Sequence, residues 1–173
     1  MAGDRLDELC DKQAITEVLY RYARGWDRYD EEALRACFFD DSVHAHGGFK
    51  GLSQDFVTNG LRSTKAVKSM THMITNPMIE LRGDKALSEC SFFAHHRRDA
   101  ADGSGEEDMF LKGRYLDIFE RRDGIWKIAS RTGLHDFERV VPPADQTLAG
   151  AAADTLGHKK PADPFYDMLE KLG

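Results

Sequence analysis

No apolar run in this chain approaches the roughly 18 residues that suggest a membrane span. The opening residues, MAGDRLDELCDK, lack the apolar core of a signal peptide. Cysteine is scarce: Cys10, Cys37 and Cys90 are an odd number without CxxC spacing, which excludes a disulfide framework and fits a reducing cytoplasm. Positive charge is in the minority, 24 Lys and Arg against 30 Asp and Glu, so nothing resembles a nucleic-acid footprint. No GxSxG, Walker loop or GxGxxG is present, which leaves a hydrolase elbow, a nucleotide cradle and a Rossmann unit without support. The seven histidines match no HExxH or other metal-ligating spacing, so neither metal nor cofactor is expected.

What remains is an ordinary globular composition, 41% hydrophobic and 31% charged over 173 residues, enough for one domain with a sizeable core. Residues 4–24 predict a helix whose buried stripe is Leu6, Leu9, Ile15, Val18, Leu19 and Tyr22, stopped by Gly25. A short helix follows over 31–38, with Asp30 as its cap, until Asp40-Asp41 breaks the pattern. Ser42 to His46 alternates like a strand, Gly47-Gly48 turns, and 49–51 returns. Residues 52–67 predict a helix weakened by Gly60.

The period then changes from helix to strand. Strands are expected over 70–81, 85–98, 109–121 and 125–137. Arg82-Gly83-Asp84 and Arg122-Asp123-Gly124 supply turn chemistry, and 99–107 forms a polar tip. Helices first and hairpin-linked strands second predict an α+β domain over 1–141. The Ala-, Pro- and Gly-rich tail, 142–173, is expected to pack on it with a short helix over 164–172. A strongly curved, mostly antiparallel sheet around the helices would leave a conical cavity, the kind of place where small molecules bind.

Several side chains carry chemical potential. Alternation puts His72, Ile74 and Asn76 on one strand face. An Asp accepting from one ring nitrogen of His72 would make the other a better base, and Asp27, at the first helix's end, is a candidate. Spacing alone favours two unrelated surface residues. Tyr22 reads as a core aromatic or as a hydroxyl donor that polarises a carbonyl. His44 and His46 share a face, whereas His95 and His96 oppose each other, so one of that second pair enters a pocket. His135 lies near the end of the last strand. Arg114 and Arg131 read as salt-bridge partners or as clamps for an oxyanion.

Longer stretches resemble a known family. Ile15 through Asp30 (the pattern IxxxxxRYxxGxDxxD), FFDDS, FKG, THMITNPMIEL and GRYLDIFERRDGIWKIASR are similar to the SnoaL-like branch of the nuclear transport factor two-like superfamily. Within it the chain resembles the branch of scytalone dehydratase, hexachlorocyclohexane dehydrochlorinase and bile acid 7α-dehydratase. The resemblance implies a cone-shaped domain and a cofactor-free lyase, with Asp27 and His72 as the acid–base pair. Tyr22 matches a tyrosine of the bile acid enzyme and would be the donor. Asn76, His95 or His96, Arg131, Trp26 and His46 would contact the substrate, a small aromatic or alicyclic molecule losing water or formaldehyde. The same fold also hosts isomerases, polyketide cyclases and the non-catalytic small subunit of ring-hydroxylating dioxygenases. It implies a homo-oligomer, a trimer above a dimer, formed through an outer sheet face carrying Phe, Tyr and Ile of 109–137.

Overall fold

A computed structural model describes residues 2–144, 151–152 and 155–172, with side chains from residue 5. The chain opens with helix α1 (Ala2–Asp27), followed by α2 (Glu31–Ala36), strands β1 (Phe38–His46) and β2 (Phe49–Leu52), and helix α3 (Ser53–Thr64). Four long strands follow, β3 (Ser69–Arg82), β4 (Lys85–Asp99), β5 (Glu106–Arg122) and β6 (Ile125–Val141), and then α4 (Pro164–Glu170). The strands form one curved, unclosed six-stranded sheet in the order β2-β1-β6-β5-β4-β3.

The α+β architecture is the one expected, with three local differences. Gly25 does not stop α1. It lies against Leu34 of α2, where an added Cβ would meet Leu34 Cγ at 2.7 Å, so its role is close approach rather than termination. The helix ends at Asp27, and the chain reverses through Tyr29, which has φ 55. Asp30 then caps α2 as anticipated, its side chain accepting from the Ala33 amide. Second, Leu6 and Leu9 are exposed, at 61% and 64%, so the buried stripe of α1 begins only at Ile15. Third, Asp40-Asp41 does not interrupt β1. The strand runs through it with a register slip between Phe38 and Val43, and pairs parallel to β6. The other strand pairs are antiparallel.

The concave face holds the core. Ile15, Leu19, Tyr22 and Trp26 of α1 pack with Phe92, Tyr115, Phe119 and Ile128 of the sheet. Gly60 lets α3 close on Trp26: a Cβ there would lie 2.3 Å from Trp26 Cη2. β3 is an edge strand, which tolerates Pro77 within it; Asn76, with φ 53, makes the bulge between Thr75 and Met78. Tyr115 and Phe119 belong to this core rather than to the outer face where 109–137 was expected to expose its aromatics. Among the large apolar side chains of that segment, Ile118, Ile125 and Phe137 are exposed.

The tail returns to the α1–α2 corner. Lys160 Nζ and the Tyr166 hydroxyl both donate to the Asp30 carboxylate. Lys159 Nζ donates to the backbone carbonyls of Thr64 and Lys65, at the end of α3. Expectations for 145–150 and 153–154 lie outside the described residues.

Candidate active site

Between α1, α3 and the sheet lies a cavity of about 220 Å³. Tyr22, Trp26, His46, His72 and His96 line it, joined by Phe56, Phe92, Tyr115 and His135. Its wall is mostly aromatic, with histidines on several sides.

Asp27 reaches His72 from the last residue of α1. Its Oδ1 lies 2.7 Å from His72 Nδ1, and its Oδ2 accepts the His72 backbone N–H at 3.1 Å. One carboxylate thus holds both the strand and the ring. Nδ1–H donates to the Asp27 carboxylate, which fixes the proton there and leaves Nε2 as the lone-pair nitrogen. The two side chains are 11% and 13% exposed, dry enough to strengthen the contact, and His72 is the member of the pair that lines the cavity while Asp27 holds it from behind.

Tyr22 is wholly buried among Trp26, Phe38 and Tyr115, with edge-to-face contacts of 5.7–6.1 Å between ring centroids. Burial raises its phenol pKa, and the neighbouring Arg131 charge offsets this only in part. The hydroxyl is therefore a neutral group, able to donate.

His96, not His95, faces the cavity. Its ring centroid is 5.3 Å from that of His72, and its Nε2 is buried without a hydrogen-bond partner. Burial, then the nearby His72, depresses its pKa to about 3, so it is a neutral imidazole. His46 is likewise neutral, its pKa lowered to about 4 by burial and then by His135. His44 lies behind this wall, stacked on Phe56 at 3.8 Å, and burial lowers its pKa to about 2.

Three of the residues named for the substrate do not line the cavity, and for two of them the alternative reading holds: one member of the His95–His96 pair stays out, and Arg131 is a salt-bridge partner. His95 points away from the cavity and bonds Asp108 at 2.7 Å, an alternation that follows directly from His96 pointing in. Asn76 sits in the β3 bulge, where the broken alternation turns it out to solvent. Arg131 lies beneath the cavity rather than in its wall. It makes a two-pronged ion pair with Asp117, at 2.7 and 2.6 Å, with both side chains 0% exposed. Its guanidinium is sandwiched 4.1 Å from the Tyr22 ring and 4.2 Å from Tyr115. Burial opposes the charge, but the Asp117 carboxylate more than compensates and pushes the Arg131 pKa up. Arg114 is a partly exposed partner of Glu89 at 3.4 Å. Phe92, Tyr115 and His135 were not singled out as substrate contacts, although inward alternation on β4 and β5 marks the first two.

The SnoaL-like domain family matches residues 7–132, which includes Tyr22, Asp27, His46, His72 and His96. The chain belongs to the SnoaL-like family. A relative in Penicillium crustosum, terrestric acid biosynthesis cluster protein E, is 27% identical over 124 residues, covering 69% of this chain and 80% of that protein. Among solved structures, hexachlorocyclohexane dehydrochlorinase LinA-type3 of Novosphingobium barchaimii is similar with a TM-score of 0.67 and 24% identity, over 80% of this chain and 99% of that one. A type 2 form of the same dehydrochlorinase gives a TM-score of 0.69 at 23% identity, over 81% and 95%. At these identities the structural likeness is one of fold. Among the described residues no helix is long and apolar enough to cross a membrane, and no group of three or more potential metal ligands converges.

Proposed function

We propose that this SnoaL-like protein is a cofactor-independent lyase acting on a small aromatic or alicyclic alcohol. The observation that carries the reading is the 2.7 Å contact by which Asp27 holds His72, a residue in the wall of an aromatic cavity. His72 Nε2 takes a proton from the carbon next to an activating group. Asp27 orients the ring and stabilises the imidazolium. The Tyr22 hydroxyl hydrogen-bonds the substrate oxygen on which charge develops. In a dehydration the C–O bond breaks toward oxygen, and the proton held by His72 returns to the departing hydroxide as water. In loss of formaldehyde from a hydroxymethyl group His72 takes the hydroxyl proton, the freed oxygen pair closes the C=O of formaldehyde, the C–C pair passes to the activating group, and His72 then returns its proton to that carbon. A cavity of about 220 Å³ is below the common range for drug-sized ligands and suits a single substituted ring.

The test is a screen of small aromatic alcohols for released water or formaldehyde, followed by variants on the substrate found. His72→Ala should lower kcat by roughly 10²–10⁴-fold, the usual worth of a positioned base. Asp27→Asn should cost a similar factor, and the double variant little more than His72→Ala alone, because the two act as a unit. Tyr22→Phe should cost less. Turnover by His72→Ala at the wild-type rate would remove His72 from the chemistry.

A homo-oligomer, a trimer above a dimer, belongs to the same proposal. It is supported by exposed apolar side chains on the sheet's strands, among them Met73, Met78, Leu87 and Ile118 at 39–67% exposure. Light scattering at micromolar concentration should give a multiple of 19.5 kDa; a monomer mass ends this part of the reading.

A further inference from the structure

A second pair of polar side chains meets at the cavity, three strands away from His72. His46, on β1, and His135, on the neighbouring β6, face each other with Nε2 to Nε2 at 2.9 Å. Two imidazoles at that distance share one proton: one ring donates N–H and the other accepts. The surroundings choose which. His46 Nδ1 is buried and has no hydrogen-bond partner. The His46 ring is pressed on Gly133, where even a Cβ would meet Cγ at 2.7 Å and Nδ1 at 2.8 Å. A proton on His46 Nδ1 would be an N–H donor buried with nothing to accept it, which carries the full desolvation cost of an unsatisfied group. A bare lone pair there is cheaper. The His46 proton therefore belongs on Nε2, which donates to His135 Nε2. With that nitrogen occupied as acceptor, the His135 proton is confined to Nδ1. His135 lines the cavity and is exposed at its mouth, and its Nδ1 is not among the buried unpartnered atoms.

We propose that His46 locks His135 as a neutral Nδ1–H donor at the cavity mouth, forming a specificity subsite for a hydrogen-bond acceptor oxygen of the substrate. The subsite deepens the lyase reading and rests on it for the word substrate. β6 and β3 are separated by β5 and β4, so the donor and the His72 base stand on different walls of the cone. A ring held between them would present its reactive carbon to His72 and a carbonyl, ether or phenolate oxygen to His135. A hydroxyl can also accept there, whereas an ammonium or a bare hydrocarbon end cannot. His46 is a positioning residue: it meets the substrate's partner rather than the reacting atoms.

Two measurements test this. Long-range ¹H–¹⁵N correlation spectra of the histidine rings, assigned with His46→Gln and His135→Gln, read tautomers in the full chain without substrate. The expected result is a proton on Nε2 of His46 and on Nδ1 of His135. The opposite assignment, or an even mixture on both rings, overturns the lock, as would binding of added zinc by both Nε2 atoms. Because these spectra need no substrate, their outcome stands apart from the fate of the His72 chemistry. The second measurement uses the substrate found above and its analogue lacking the acceptor oxygen. His135→Phe should raise KM at least tenfold for the former and leave the latter nearly unchanged, with kcat little affected. His46→Leu, which frees the tautomer, should raise KM several-fold, and His46→Gln, which keeps a donor, should restore most of it. Equal effects of His135→Phe on substrate and analogue would show a packing role only and end the proposal.

Discussion

Asp117 illustrates how one side chain can stand under a site without entering it. It is the carboxylate partner of Arg131, and the pair lies fully out of water beneath Tyr22 and Tyr115. Removing one partner of a buried ion pair leaves an uncompensated charge, which costs about 3–5 kcal/mol. Asp117→Asn should therefore lower unfolding stability by that order in urea titrations. Arg131→Met combined with Asp117→Leu should recover most of the loss, since an apolar replacement removes both desolvation penalties together. A change below about 1 kcal/mol for Asp117→Asn would mean that the guanidinium is held by the two aromatic faces alone. The pairing decides between the two readings of Arg131 in the sequence, in favour of a salt-bridge partner, and its register shows why Asp117 is not legible there as that partner. Counting back from the Asp123-Gly124 turn in plain hairpin register puts Ser130 opposite Asp117. The irregularity between Ile118 and Phe119 moves the register by one and brings Arg131 there instead.

At the scale of elements, glycines decide how closely the helices approach each other and the cavity. Gly60 of α3 faces the Trp26 ring, which forms part of the wall. Gly60→Ala would gain helix propensity but force the indole or the helix to move, and overpacking of this kind costs about 1–3 kcal/mol. The expected outcome is lower thermal stability with an altered tryptophan near-ultraviolet signal; a stabilised protein with an unchanged signal would show that α3 has slack. Gly60 reads in the sequence as a weak point in a helix and Gly25 as a stop, because propensity describes a lone element and both glycines answer to a neighbour. Features set by local chemistry were legible: the Asp30 cap, the tight turn at 82–84 and the alternation that puts His95 and His96 on opposite faces. Features set by distant chain were not. The parallel pairing of β1 with β6 and the His46–His135 contact, 89 residues apart, have no local signature. Asp27 and His72 came within reach only through resemblance to a family, since 45 intervening residues say nothing of distance.

For the whole molecule, the buried histidines set a limit in acid. His46, His96 and His44 have pKa values depressed to about 4, 3 and 2, chiefly by burial. In an unfolded chain each would titrate near 6.5. Below that pH the unfolded state binds protons that the folded state refuses, so stability falls as pH falls. Each such proton contributes a slope of about 1.4 kcal/mol per pH unit. The stabilising advantage is whole above roughly pH 6.5 and shrinks steadily toward pH 4. Urea titrations across this window should show the decline, and His44→Phe, which keeps the ring stacked near Phe56, should flatten it by close to one proton. A stability that is level from pH 7 to 4.5 would mean that these rings are protonated in the folded protein.

The tail adds a different kind of consequence. The family match spans 7–132, yet Lys160 and Tyr166, well beyond it, grip Asp30, three residues after the Asp27 that holds His72. Lys159 meanwhile fastens the end of α3, whose Ser63 and Thr64 form part of the cavity's rim. The part of the chain that lies outside the shared domain thus braces the corner from which the acid is presented. Descent can rework that brace while the domain's own residues stay as they are. Two relatives with the same aspartate and histidine can in this way inherit different working clearances around them.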